Sequence, residues 1–182
     1  MEKIYFDTDS LSCFLRIDKE SVVACCFEEY AFIPMPVLEE LSNPEFNKKK
    51  PIKAQIDVLL KLGQAIPKRL MDENTLNLYV EIKDTISFDK KGKKKIMGKG
   101  ESSVIAYAVN DQRTISSNNL KDVSFYVQKY NLKNYKTGDI LRFAYNKGYI
   151  SLAEANTIWK EILSVGQRIG YASFDEFLEK NP

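Results

Sequence analysis

Asp7, Glu40, Glu101 and Asn119 are the four oxygen-bearing side chains whose places in the chain suggest shared chemistry. Asp7 follows an apolar-aromatic run, Lys3 to Phe6, that reads as a strand. Asn119 lies in Ser117-Asn118-Asn119, directly after Thr114-Ile115-Ser116, which reads as a short strand. Ligands of open parallel sheets gather at the carboxyl ends of strands, so both positions are candidate site positions. Glu101 and Asn119 fall near predicted helix N-termini, where the macrodipole favours a carboxylate or a bound anion. Glu40 lies one turn into the helix expected after the second strand. Taken singly, each has an ordinary explanation as a cap, a first-turn acid or a solvated helix residue. Together they describe a cluster of like charges, and carboxylates ~4 Å apart repel by roughly 4 kcal/mol per pair at an effective dielectric near 20. Such a cluster needs protons or a cation, and a divalent ion meets that need.

The chain has no histidine, which removes imidazole bases, the Ser-His-Asp triad and His-ligated metals. An ion held by oxygen donors alone is a hard one, magnesium or manganese. Cys13, Cys25 and Cys26 are odd in number and sit in apolar surroundings, as reduced thiols in a core do. No phosphate-cradling glycine loop is present.

The elements that must position these residues follow from periodicity. After the first strand, Leu11, Phe14 and Leu15 recur at helical spacing. The apolar stretch Val22 to Phe27 leads to a buried strand, Tyr30 to Ile33, closed by Pro34 and Pro36. Pro36 suits the first turn of a helix over Val37 to Leu41. Further helices are expected from Ile52 to a C-cap at Gly63, from Leu76 to Ile82, and from Glu101 to Asn110. A strand at Thr114 to Ser116 and a helix at Leu120 to Tyr130 come next, then a helix between Thr137 as N-cap and Gly148 as C-cap. Ser151 and Glu154 form a capping box for a helix carrying Ile158, Trp159 and Ile162, and Ser173 to Glu176 opens a last short one. Strands alternating with helices predict an α/β fold, with a mostly parallel sheet covered by helices on both faces. We expect residues 1–150 to form the main domain and 151–182 a helical extension packed on it.

At 182 residues and 44% hydrophobic content the chain can bury one good core. The 27 Lys and Arg nearly balance the 25 Asp and Glu, so any signal for an anionic partner must be local. One exists: Lys90, Lys91, Lys93, Lys94, Lys95 and Lys99 run up to Glu101, and the two glycines among them predict a mobile loop. A charge run of this kind is often only a solvated face. Directly before an acidic cluster, it can hold phosphates that the acids would otherwise repel. Lys48, Lys49, Lys50 and Lys53 can extend the same track. With no apolar run near the length of a bilayer span and no basic-then-apolar leader, the chain reads as soluble, non-membrane and cytoplasmic.

Four motifs resemble those of the PIN-domain nucleases, a family that includes VapC-type toxins of prokaryotic toxin-antitoxin pairs. Ile4-Tyr5-Phe6-Asp7-Thr8 looks like the family's opening strand and first acid. Val37-Leu38-Glu39-Glu40-Leu41 looks like its Val-x-x-Glu-Leu helix, which makes Glu40 and not Glu39 the second acid. Gly100-Glu101-Ser102-Ser103-Val104-Ile105-Ala106 resembles Gly-Glu-x-x-Ala-Ile-Ala, the most specific of the four. Ser117-Asn118-Asn119 resembles the closing Thr-x-Asp/Asn segment, with Ser117 in the hydroxyl place and Asn119 in the place of a fourth ligand. The resemblance spans residues 3 to 150, and the tail through Trp159 looks like the C-terminal helices of longer PIN proteins.

The resemblance implies a three-layer PIN-like fold and a metal-dependent endoribonuclease leaving 5′-phosphate and 3′-hydroxyl ends. Asp7, Glu40 and Glu101 would bind magnesium or manganese, and Asn119 would complete the shell. RNA, a protein antitoxin and a second copy of the chain are the partners it implies. Asp9, Ser117 and Asp122 stand as secondary site candidates, Asp122 in case the register of the closing motif is one helical turn off. Two other readings stay open. A PIN fold that has lost catalysis would serve as an RNA- or protein-binding module, for which Asn119 in place of an acid speaks. Asp7-Thr8-Asp9 also resembles the start of haloacid dehalogenase-like phosphatases, although the following Gly-Thr and the later acidic pair of that family are missing.

Overall fold

The computed structural model describes residues 3–27, 30–45, 52–63, 65–68, 71–88 and 94–182. The chain begins with strand β1 (Ile4–Phe6), helices α1 (Thr8–Leu15) and α2 (Glu20–Phe27), strand β2 (Ala31–Pro34) and helices α3 (Met35–Ser42) and α4 (Lys53–Lys61). Strand β3 (Ile66–Lys68), helix α5 (Glu73–Asp84), strands β4 (Ile86–Phe88) and β5 (Lys94–Ile96), helix α6 (Lys99–Asp111) and strand β6 (Thr114–Ser116) follow. Helix α7 (Leu120–Lys129), strand β7 (Asn134–Tyr135) and helices α8 (Thr137–Asn146), α9 (Leu152–Ser164) and α10 (Phe174–Lys180) complete it. The result is an α/β fold with ten helices among the described residues. Its principal sheet is open, five-stranded and all-parallel, in the order β3-β2-β1-β6-β7, with Tyr5 registered against Phe32 and Ile115.

An interior parallel strand is covered on both faces and so reads as an unbroken apolar run. In β1, Ile4, Tyr5 and Phe6 are all fully buried. Alternation sends neighbouring side chains to opposite faces. On one face the Tyr5 ring stacks on Tyr107 of α6 at 5.4 Å; on the other, Phe6 meets Phe27 of α2 edge-on at 5.6 Å, and Phe27 stacks on Phe143 of α8 at 6.0 Å. Burying these aromatic rings is what holds the three layers together.

The helices agree with the sequence-based expectation in place, and are longer at several ends. Gly63 and Gly148 terminate α4 and α8 with positive φ of 67° and 73°, and the Ser151–Glu154 capping box opens α9. The stretch Val22 to Phe27 is helical, as part of α2. Several features differ from expectation. The expected mostly parallel sheet is parallel throughout, while β4 and β5 form a separate antiparallel pair. That pair takes Lys94 and Lys95 into a strand where a loop was expected, Lys94 in register with Phe88 and Lys95 with Ser87. Lys90, Lys91 and Lys93, like Lys48, Lys49 and Lys50, lie outside the described residues. Thr137 is the first helical residue of α8 and Lys136 its N-cap, because the Thr137 N–H is capped by a side chain from elsewhere, that of Asn118, at 3.0 Å.

Strands β3 and β7, absent from the expectation, are the two edges of the sheet. They have three and two residues, and β3 contains Pro67, which an edge strand tolerates because its outer N–H has no strand to meet. No helix among the described residues is long and apolar enough to cross a membrane.

The C-terminal helices pack on α8 through aromatic rings. Trp159 is fully buried against Phe174 and Phe177, at 5.8 Å and 5.5 Å between centroids. Phe177 lies so close to Gly138 of α8 that an added Cβ would stand 2.6 Å from its ring. Gly138→Ala should therefore destabilise the protein by about 1–3 kcal/mol, the usual cost of overpacking a full core. Denaturant unfolding measures this; an unchanged midpoint would show that the Phe177 ring yields without loss.

Candidate functional site

In the order β3-β2-β1-β6-β7, the chain leaves β1 toward one side for β2 and returns to the other side for β6. The crevice outside the carboxyl ends of β1 and β6 is thus a topological switch point, where open α/β sheets bind ligands. The ladder continues one step past β1: the Asp7 N–H donates to the Ser116 carbonyl at 2.9 Å. This sets Asp7 beside Ser117. The Ser117 hydroxyl donates to Asp7 Oδ2 at 2.8 Å, and the Thr8 N–H donates to Asp7 Oδ1 at 2.7 Å, making Asp7 the N-cap of α1.

Asp7 is only 2% exposed. Burial pushes its carboxyl well above the ordinary value of 3.8, and the negative charges of Asp9 and Glu101 push it further, against the two hydrogen bonds. Asp9, in the first turn of α1, is raised by burial and by Glu101. Hydrogen bonds oppose this rise, chief among them the Asn118 N–H at 3.2 Å from Asp9 Oδ1, with the Ser10 N–H and the Asp7 side chain. Asp7, Asp9 and Glu101 therefore feel one another through a poorly solvated space.

Glu101 reaches this space from the first turn of α6. The Asn119 amide nitrogen lies 3.4 Å from Glu101 Oε1 and 2.8 Å from Asp122 Oδ2, so a single amide group serves two carboxylates. Both neighbours accept, which orients the amide: nitrogen, not oxygen, faces Glu101. Glu40 projects from α3 and is tied to the cluster by two donors. The Thr8 hydroxyl lies 2.5 Å from its Oε2, and the Gly100 N–H 3.0 Å from its Oε1. Glu39 is exposed on the other register, so Glu40 is the acid that faces inward.

Two glycines make room. A Cβ on Gly100 would stand 2.7 Å from Glu40 Oε2, and one on Gly98 would stand 2.2 Å from Glu101 Oε2. Lys99, between them, is exposed at the start of α6, while Lys53 is exposed on α4. Cys13 is buried, its thiol pushed up to about 12 by burial, so it offers no thiolate for chemistry.

The donor set fits a hard divalent cation in kind, since it consists of carboxylates, hydroxyls and amides whose mutual repulsion a cation would relieve. In arrangement, no three Asp, Glu or Cys side chains among the described residues converge into a ready-made metal cage. Each acid lies instead against donors of the protein itself, and Glu40 has both oxygens bound.

Several residues of the site carried no sequence signal beyond their place in a motif. Thr8 touches both Asp7 and Glu40. Asn118 links three elements: its N–H binds Asp9, its Oδ1 accepts from the Thr137 N–H, and its Nδ2 donates to Thr137 Oγ1 at 2.9 Å. Asn134 of β7 holds Ser117 by both backbone groups, accepting from its N–H at 2.9 Å and donating to its carbonyl at 3.0 Å. No protein-family model matches the chain, and a search of curated proteins finds no match.

The raised Asp7 carboxyl has a consequence for stability. A folded-state value above the unfolded one adds stability that is complete at low pH and is lost as pH rises from about the ordinary value through the folded one. Asp7→Asn, measured in EDTA, should thus raise the melting temperature at neutral pH by roughly 2–4 °C per kcal/mol gained, and should flatten the pH dependence above pH 4. A variant less stable than wild type at pH 7 would show that the carboxylate is not under repulsion.

Proposed function

We propose that the chain is a metal-dependent endoribonuclease of the PIN type, with its site at the ends of β1 and β6. The observation that carries this reading is the repulsion of the buried Asp7 carboxyl by Asp9 and Glu101 at the switch point of the sheet. Soluble folds avoid collecting unpaired buried acids unless something positive is to lie among them. The all-parallel sheet flanked by helices is compatible with the three-layer fold that the motifs imply.

Asp7, Glu40 and Glu101 would hold the magnesium or manganese ion, with Glu40 fixed in place by Thr8 and Gly100 and Asp9 beside them. A bound ion of this kind supplies an activated water and neutralises charge developing on phosphorus. Ser117 and Thr8 keep the Asp7 carboxylate aimed by occupying one lone pair on each oxygen. Asn119 keeps Glu101 from collapsing onto its neighbours. Lys99 stands at the rim to receive a backbone phosphate, and the lysine run before it would extend that role. A protein antitoxin or a second chain copy as partner belongs to the same reading.

The inactive-module reading has one observation of its own: the Asn119 amide faces Glu101 with its nitrogen, so as placed it donates where a fourth ligand would accept. The phosphatase reading of Asp7-Thr8-Asp9 is kept as an arm of the assay. Glu101→Gln removes one charge at constant volume and should abolish cleavage of RNA in magnesium or manganese, by about a hundredfold or more, while the fold stays intact. Full activity of that variant sinks the site. A wild type that cuts no RNA in either ion but hydrolyses a simple phosphoester points to the phosphatase, and one that does neither while binding RNA points to the module.

Asn119→Asp separates these further. It removes the amide that Glu101 and Asp122 share and puts a third negative charge between them, so the metal-free variant should melt lower than wild type. The same added charge should reduce the magnesium needed for half-maximal cleavage, whereas Asp122→Asn should change it little. An Asn119→Asp variant as stable as wild type in EDTA would falsify the contact on which the argument rests.

A further inference from the structure

Thr8 is 6% exposed and sits in the first turn of α1, between two acids that come from different parts of the chain. Its N–H donates to Asp7 Oδ1 at 2.7 Å, and its hydroxyl donates to Glu40 Oε2 at 2.5 Å. The second oxygen of Glu40 accepts from the Gly100 N–H at 3.0 Å, on the first turn of α6. Both oxygens of Glu40 are thus bound, and the two donors stand on different helices. A carboxylate gripped at both oxygens cannot rotate away when its neighbours repel it. The grip also depends on a bare backbone at position 100, since a Cβ there would meet Glu40 Oε2 at 2.7 Å.

We propose that Thr8 is a positioning residue: its hydroxyl, together with the Gly100 N–H, fixes the Glu40 carboxylate at the cation site and ties α3 to α1 and α6. The inference rests on the metal-site reading above and deepens it. Thr8 itself touches neither cation nor substrate. Groups that orient the acids around a metal act through ligand geometry, and their loss typically weakens metal affinity by about 10–100-fold. Serine can supply the same hydroxyl; valine has the same shape and no donor.

The experiment has two arms on the full chain. In EDTA, the denaturant stability of Thr8→Val, Glu40→Ala and the double variant forms a cycle, and the double loss should fall well short of the sum of the single losses. In manganese, binding followed by the paramagnetic signal of the free ion should weaken about tenfold or more in Thr8→Val and return in Thr8→Ser. Additive losses in the cycle overturn the clamp whether or not a metal binds. A cycle that shows coupling, with unaltered manganese affinity in Thr8→Val, makes Thr8 a structural residue only and overturns the positioning role. If wild type itself binds no manganese, the metal-site reading fails and this inference fails with it. That case is recognised because wild type itself then leaves the free-ion signal unchanged in the second arm.

Discussion

Keeping one carboxyl group, that of Asp7, almost wholly out of water is the constraint on which the open end of the sheet depends. An ionised carboxylate without compensation costs several kcal/mol to bury, so each surrounding element must bring a donor or tolerate a proton there. The β1–β6 ladder supplies the first part of the answer by running one residue beyond the strands, through Asp7 N–H to Ser116 O. That register delivers the Ser117 hydroxyl to one oxygen, and the turn into α1 delivers the Thr8 N–H to the other. What these donors do not cancel is the charge of Asp9 and Glu101. The residual repulsion stays stored in the folded chain, and a proton or a cation relieves it.

The supports of the site run outward through the fold in identifiable contacts. Asn134 of the edge strand β7 holds the Ser117 backbone, and Asn118 holds both Asp9 and the N-terminus of α8. Next to the capped Thr137 lies Gly138, on which Phe177 of α10 rests. The aromatic cluster of Trp159, Phe174 and Phe177 is thereby connected by direct contact to the loop that donates to Asp9. This gives the C-terminal helices a part in site geometry without any of their own side chains reaching the acids.

Legibility in the sequence divided along a physical line. Features dictated by neighbours along the chain could be read directly: β1 as an apolar run ending at Asp7, the Ser151–Glu154 capping box, and the glycine stops at Gly63 and Gly148. Features dictated by partners far along the chain could not. Strands β3 and β7 exist because β2 and β6 offer them an edge, and two or three residues carry no periodicity of their own. Lys94 and Lys95 have the composition of a loop and the structure of a strand, because β4 pairs with them. Asn118, Asn134 and Thr8 are ordinary turn and helix-start residues until the strand order brings their partners within reach.

The absence of histidine sharpens what the acids must do. In a site whose titratable groups are carboxylates, the switch between protonated and ionised states is set by burial and by mutual charge, not by an intrinsic pKa near neutrality. Asp7 and Asp9, both raised, sit where that switch operates. Glu40, held by two neutral donors, and Glu101, braced by the Asn119 amide, are the other two acids of the cluster. Gly98 and Gly100 follow from the same need. Two carboxylates can approach the start of α6 only where its backbone carries no Cβ, so the bareness of that turn is part of the electrostatic design and not merely of its flexibility. A larger residue at either position would move an acid before it disturbed the helix.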